Sequence, residues 1–342
     1  MKKNTLFGRI VASIAVATLV LGVTACGEEK TEATSTGSSE AAEAAEEASV
    51  SESAEEASSQ EQDALTPTPI DKDAFDKLVS SGVVATDDEI AASKWASKVK
   101  EQGVLKVGGT RTSFLFGQLD ETDDHIRGFD AGLYQLLANY ILGDASKYEI
   151  TQVDSSTRES VLQSEQVDAV FATYSITDKR KEVISFAGPY YTSKQGILVK
   201  AGNTEVTGVD SLKRKTVATQ AGSTGPAILE EFAPEAEVQE FETDQEALAA
   251  LSQGRVDAYV TDYTLNLSTL VKNPGVYELT GESFGPEDNY GIGLPLDSDG
   301  VKFINEFLSK IEKDGTWEKL WKISLGDRTN VETVPAAPAI GE

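Results

Sequence analysis

Arg180 closes the stretch FATYSITDKR (Phe171–Arg180), where small and apolar residues give way to Tyr174, Ser175 and Thr177 and then to charge. A planar guanidinium is built to pair bidentately with a carboxylate, through charge-assisted bonds about twice as strong as neutral ones. Its alternative here is a solvated arginine between Lys179 and Lys181. Asp262 is the second candidate. VDAVFATYS and VDAYVTD each carry Val-Asp-Ala into a strand that ends in polar groups, and Asp262 ends the second. It can face an ammonium or cap a helix that begins near Tyr263. Ser223 and Thr224, in AGSTGPA, precede a helix whose first turn holds Pro226. Free N–H groups there form an anion site, and the hydroxyls serve equally as caps.

Composition removes several other chemistries. Cys26 is the only cysteine, which excludes disulfides and cysteine-based metal sites. His125 is the only histidine, so a multi-histidine zinc site is impossible and a Ser-His-Asp triad is disfavoured. No catalytic residue, metal or cofactor is expected. The formal net charge of −27 makes nucleic acid a poor partner.

The elements that must position these residues alternate strand and helix. VLKVGG enters a glycine turn, FDAGLYQLLANYIL has helical spacing, YEITQV is a strand, RESVLQSEQ a short helix, and VDAVFATYSI and QGILVKA are strands. The plan repeats with TVATQAG, PAILEEFA, AEVQEF, DQEALAALSQG and VDAYVTD. Such alternation predicts α/β layers with a mostly parallel sheet. The internal echo predicts two similar lobes. Ligands of open α/β sheets bind beyond the carboxyl ends of strands, so the ends at Thr173–Ser175 and Thr261–Asp262 would flank one cleft. Before the core, DKDAFDKLVSSG and TDDEIAASKWASKVKEQG each read as one helix, the latter ending at Gly103.

The N-terminus carries Lys2, Lys3 and Arg9, then the apolar run Ile10–Gly22, then VTAC. The run is too short for a spanning helix and reads as a secretory signal. Small residues directly before Cys26 resemble a lipobox, which implies lipidation of that cysteine. Residues 27–63 hold twelve acidic residues and one lysine, with almost no large apolar side chains. They read as a disordered tether.

The segments ATYSITDKRKEVISFAGPYYTS, TQAGSTGPA, ALSQGRVDAYVTDYT and YGIGLP, in that order, resemble the amino-acid-binding proteins of ABC importers, and most of all the glutamate-binding lipoproteins of Gram-positive bacteria. The likeness spans roughly Val104 to Leu325. It implies a periplasmic-binding-protein-like fold of type II, with two α/β lobes joined by two hinge crossings at GPYY (Gly188–Tyr191) and NYGIG (Asn289–Gly293). The implied division is a signal peptide at 1–25, lipidated Cys26 and tether at 26–69, a helical extension at 70–103, lobe one at 104–189 and 291–327, lobe two at 195–285 and a loose tail at 328–342.

Carried over by residue, the resemblance implies that Arg180 grips the ligand's α-carboxylate and that Asp262 pairs with its ammonium. Thr173 would offer a backbone carbonyl and Ser175 a hydroxyl to that ammonium, unless both only terminate a strand. Ser223 and Thr224 would close over the carboxylate. Arg111 and Arg158 match basic positions of acidic-amino-acid binders, although Arg158 also occurs in others. Gln220 replaces a lysine common in relatives, which leaves room for a polar amide ligand. Phe114 or Phe116 would pack on the ligand's methylenes, and a core role fits either. Gly128 would turn the chain and Asp130 cap a helix, while Trp317, Leu320 and Trp321 belong to the core.

The expected function is a lipid-anchored receptor on the extracytoplasmic face of a bacterial cell membrane. It binds glutamate or another acidic or polar amino acid and delivers it to the membrane subunits of an ABC importer. The alternatives are an enzyme on the same fold, such as a dehydratase of a cyclic amino-acid precursor, and a ligand-sensing surface protein.

Overall fold

The computed structural model describes residues 68–329, 331 and 333–341. The expected signal peptide, Cys26 and the expected tether up to residue 67 lie outside the described residues. No helix among the described residues is long and apolar enough to cross a membrane.

Three short helices lead in. Asp71 caps α1 (Lys72–Ser80) by accepting the Ala74 N–H. Thr86 and Glu89 form a reciprocal capping box on α2 (Asp87–Ala91), and Ser93 caps α3 (Lys94–Gln102) by accepting the Ala96 N–H. The single helix expected over this stretch is therefore two, because Ser93 starts a new one. Gly103, at φ 70°, ends α3 in the left-handed conformation that glycine adopts without strain.

The core begins with β1 (Leu105–Gly109). A small antiparallel sheet of β2 (Thr112–Ser113), β3 (Gly117–Asp120) and β4 (His125–Arg127) follows. Then come α4 (Phe129–Leu142), β5 (Tyr148–Gln152), α5 (Arg158–Gln163), β6 (Ala169–Phe171) and α6 (Asp178–Lys181). The long strand β7 (Ser185–Lys200) leads to β8 (Thr216–Gln220), α7 (Gly225–Phe232), β9 (Glu237–Phe241), α8 (Asp244–Ser252), β10 (Ala258–Asp262) and α9 (Tyr263–Lys272). The chain returns through β11 (Tyr277–Leu294) to α10 (Gly300–Lys313) and α11 (Thr316–Trp321).

One eight-stranded sheet runs through both lobes in the order β5-β1-β6-β11-β7-β10-β8-β9. In lobe one, β1 pairs parallel with β5 and β6; in lobe two, β8 pairs parallel with β9 and β10. Antiparallel β7 and β11 join the halves. The two crossings, expected as hinges, run as paired strands. Asn289 faces Thr192 and Tyr290 faces Tyr191, with register shifts on either side, between Phe284 and Asp288 and between Tyr290 and Ile292.

Burial follows strand periodicity. Ile197 and Val199 enter one lobe-two core with Val217, Val260 and Leu229, while Leu198 enters the other with Ala218, Tyr259 and Leu251. In lobe one α4 is buried almost all round, among Phe75, Trp317, Leu320 and Trp321. The tryptophans of α11 sit in the core, as their spacing implied. The C-terminal residues, expected to be loose, pack on lobe one: Val334, Ala337 and Ile340 lie against its core, and the Gly341 N–H donates to the Gly188 carbonyl at 2.9 Å.

Candidate functional site

β6 stops at Phe171, and Thr173 takes φ 42°. A threonine in the left-handed region is strained and persists only when its surroundings hold it. Asp130 does so: its Oδ2 accepts the Thr173 N–H at 2.9 Å, and its Oδ1 accepts the Tyr190 hydroxyl proton at 2.7 Å. Asp130 was expected to cap α4 and does not. The cap position belongs to Gly128, at φ 142°, where a Cβ would lie 2.4 Å from the Phe116 carbonyl. Burial pushes the Asp130 carboxyl up to about 6, against the Tyr190 and Thr173 bonds that favour its charge.

Beyond Thr173 the chain places two guanidiniums near one ring. Thr177 caps α6 by accepting the Arg180 N–H, and this seats the Arg180 side chain in the interior at 6% exposure. Its Nη1 donates to the Ser175 carbonyl at 2.7 Å, and its Nη2 donates across the cleft to the Gly222 carbonyl at 2.8 Å. Glu159 lies 3.6 Å from its Nε. Arg158, at 3% exposure, donates from Nη1 to the Ala172 carbonyl at 2.8 Å, and its Nε has no partner among the described residues. The guanidinium carbons stand 3.9 Å (Arg158) and 5.0 Å (Arg180) from the Tyr174 ring centroid. Burial, with Arg180 nearby, pushes Arg158 down to about 10, and burial lowers Arg180 also.

The opposite wall comes from lobe two. Asp262 stands where β10 meets α9, yet makes no side-chain cap bond. Its carboxylate instead accepts from Gln195 Nε2 at 2.6 Å and from the Tyr290 hydroxyl at 2.5 Å. Burial first, and Asp288 second, raise it to about 7. Ser223 accepts the Gly225 N–H at 3.1 Å and donates to the Gln220 carbonyl at 2.6 Å, while Thr224, the N-cap residue of α7, makes no side-chain cap bond. The Thr224 hydroxyl donates to Asp288 at 3.1 Å. Gln220 accepts from the Ser155 hydroxyl at 3.2 Å and donates to the Glu242 carbonyl at 3.1 Å.

Two spaces flank this centre. A cavity of about 100 Å³ is lined by Phe114, Arg158, Thr173 and Gln220, with Asp244 and Thr269 at its lobe-two end. A wider groove of about 650 Å³ is lined by Arg180, Gln195, Ser223, Thr224 and Asp288. Ser175 and Asp262 are buried beside them and join the groove through Asp288 and Gln195. The structure brings Arg158, Thr173, Ser175, Arg180, Gln220, Ser223, Thr224, Asp262 and Phe114 to one interlobe region. Arg111 is not among them. It is exposed and donates to the Ile150 carbonyl at 3.3 Å, beside a separate surface hollow next to α1 and α4. Phe116 is core, edge-on to Phe129, Tyr191 and Tyr290. Sequence reasoning noted Tyr174 at the strand end without giving it a role, and it missed Asp288. Asp288 directly precedes the NYGIG crossing, and that adjacency was the one available signal.

A cleft between two α/β lobes, crossed by two strands and lined by buried charge of both signs, defines a small-molecule binding protein. The chain belongs to the bacterial extracellular solute-binding proteins, family 3, whose model matches residues 105–326; its fold is that of type II periplasmic binding proteins. It is 35% identical to the ABC transporter glutamine-binding protein GlnH of Bacillus subtilis (strain 168), over 66% of this chain and 82% of that one. It is 31% identical to the glutamate-binding protein GluB of Corynebacterium glutamicum, over 66% and 80%. Among solved structures, the solute receptor for L-cysteine of Neisseria gonorrhoeae matches with a TM-score of 0.66 at 25% identity, over 70% of this chain and 97% of that one. These relatives are binding proteins rather than enzymes.

Proposed function

We propose that this chain is an extracytoplasmic receptor, lipid-anchored through Cys26, that binds glutamate or its amide between the lobes and presents it to the membrane subunits of an ABC importer. One observation carries the reading: buried Arg180 on one lobe lines the interlobe groove and buried Asp262 on the other is joined to it through Gln195, neither neutralised by a close, buried ion pair. An α-amino acid has the complementary pair of charges. Arg180 has five N–H donors. Two are given to carbonyls, which leaves donors for the α-carboxylate. The start of α7 stands on the other side of that carboxylate. The ammonium faces Asp262 and Ser175.

Arg158 argues for a side chain that ends in an oxygen acceptor. Its unpartnered Nε is buried beside the cavity, and an unmet buried donor costs about 1–3 kcal/mol until an acceptor arrives. With Arg111 outside the cleft and a neutral Gln220 in it, one distal guanidinium serves a carboxylate or an amide carbonyl. A cationic side chain would meet Arg158 and be repelled. The ligand bridges the lobes and favours the closed state in proportion to its differential affinity.

Calorimetric titration of the purified protein with L-glutamate, L-glutamine, L-arginine and L-cystine tests this. Heat is expected with the first two. Binding of arginine alone, or of none of the four, overturns the reading.

A further inference from the structure

Asp288 lies on β11 where the second crossing passes between the lobes, half-buried and opposite Ser193. Its Oδ2 accepts from Ser175 Oγ in lobe one and from Thr224 Oγ1 in lobe two, each at 3.1 Å. A hydroxyl has one proton to give and two lone pairs to offer, whereas a carboxylate only accepts. Both hydroxyls therefore spend their protons on Asp288. Thr224 Oγ1 in turn receives a proton from Gln195 Nε2 at 3.5 Å, and that amide also donates to Asp262. Ser175 Oγ receives none among the described residues. It is the open end of a network that joins Asp288, Thr224, Gln195, Asp262 and Tyr290.

We propose that Asp288 is a positioning residue for the ligand's ammonium: by accepting the Ser175 O–H it fixes that hydroxyl as an acceptor within the network that includes Asp262. The inference rests on the amino-acid reading above and adds a basis for its selectivity. An ammonium brings donors and no lone pair, so it matches an acceptor-only wall. An α-keto oxygen brings only lone pairs and is rejected. An α-hydroxyl satisfies one acceptor and carries no charge. Asp288 touches the ligand through Ser175, and because it sits on the crossing strand it ties this orientation to lobe closure.

The test uses the full-length protein and its Asp288→Asn variant, titrated with L-glutamate and, by displacement, with 2-hydroxyglutarate. An asparagine amide can donate to Ser175 and reverse its hydroxyl. The expected result is a loss of about tenfold or more for glutamate, with a change under about threefold for the hydroxy acid. Equal losses for both ligands would mark Asp288 as a structural residue and overturn the proposal, as would no loss at all. A cycle with Ser175→Ala is independent of the analogue. If Asp288 acts through Ser175, Asp288→Asn costs nothing further in the Ser175→Ala background, whereas additive losses reject that route. Failure of the underlying reading shows separately, as a wild-type protein that binds neither glutamate nor glutamine.

Discussion

The Asp130 carboxylate holds the Thr173 N–H at 2.9 Å, and Thr173 is the residue whose backbone leaves the allowed strand region at φ 42°. The two are 43 positions apart, one in the first turn of α4 and the other past the end of β6. The bond turns the strand end toward the cleft, so that the Ala172 carbonyl meets Arg158 and the Ser175 carbonyl meets Arg180. A buried acid in the lobe-one core thereby sets the geometry of the guanidiniums.

Replacing Asp130 with alanine should damage both stability and binding. The Thr173 N–H and the Tyr190 hydroxyl lose their acceptor, at about 1–3 kcal/mol each, offset in part by relief from burying a carboxyl. A net loss of about 2 kcal/mol lowers Tm by roughly 5 °C in a chain of this size. Calorimetric melting checks this. Affinity for glutamate should fall by about tenfold as Thr173 relaxes, and an unchanged Tm would show that Thr173 needs no such support.

Arg180→Lys keeps the charge and removes the planar fork. A lysine cannot reach the Ser175 and Gly222 carbonyls and also pair bidentately with a carboxylate. Glutamate affinity should drop by at least about a hundredfold, the equivalent of one or two charge-assisted bonds. Titration calorimetry reads this directly, and near-wild-type binding would remove Arg180 from the carboxylate subsite.

Asp262 gives the protein a pH signature. Burial and Asp288 raise its carboxyl to about 7, while Gln195, Tyr290 and Arg158 favour its charge. A ligand ammonium stabilises the ionised form, so the liganded protein holds fewer protons here than the empty one. Affinity therefore rises with pH up to about 7 and levels off above it, by up to about tenfold per unit on the acid side. The empty protein behaves oppositely. Because the folded value lies above the unfolded one, the stability from this group is full below about pH 4 and is lost as pH rises through about 7. Dissociation constants between pH 5 and 8, for wild type and Asp262→Asn, should show a slope that the variant flattens.

The sequence displayed much of this arrangement because its signals are local. Arg180 follows a strand end and Asp262 closes the echoed strand, so both could be placed at carboxyl ends of a sheet without coordinates. The alternation of strand and helix carried the two lobes in the same way. What escaped is what depends on distant partners. Asp130 reads as a helix cap from spacing alone, since nothing nearby reports that Thr173 and Tyr190 will reach it. Arg111 looks like a second distal cation until the small sheet of β2, β3 and β4 is folded and the side chain turns to Ile150. Asp288 gains its place only when β11 lies against β7 between the lobes.

Gly222 lies hard against lobe one, and it cannot be replaced silently. Its φ is 71°, a conformation that L side chains rarely adopt. A Cβ there would stand 2.9 Å from the Ser155 carbonyl oxygen and 2.9 Å from Ser156 Cα, both on lobe one. These are backbone atoms and cannot swing aside as a flexible side chain would. Gly222→Ala should hold the lobes apart and lengthen or break the Arg180 bond to the Gly222 carbonyl. The Ser155–Gln220 and Ser156–Glu242 bonds, which span the same gap, should weaken with it. Each lobe keeps its own core, so Tm should fall by only a few degrees, mostly from backbone strain of about 1 kcal/mol. Glutamate affinity should fall by about ten- to a hundredfold, because the ligand must be gripped from both walls at once. Small-angle X-ray scattering separates the causes: the variant's radius of gyration with saturating glutamate should stay above that of liganded wild type. Equal radii with equal affinities would mean that the lobes close without this contact.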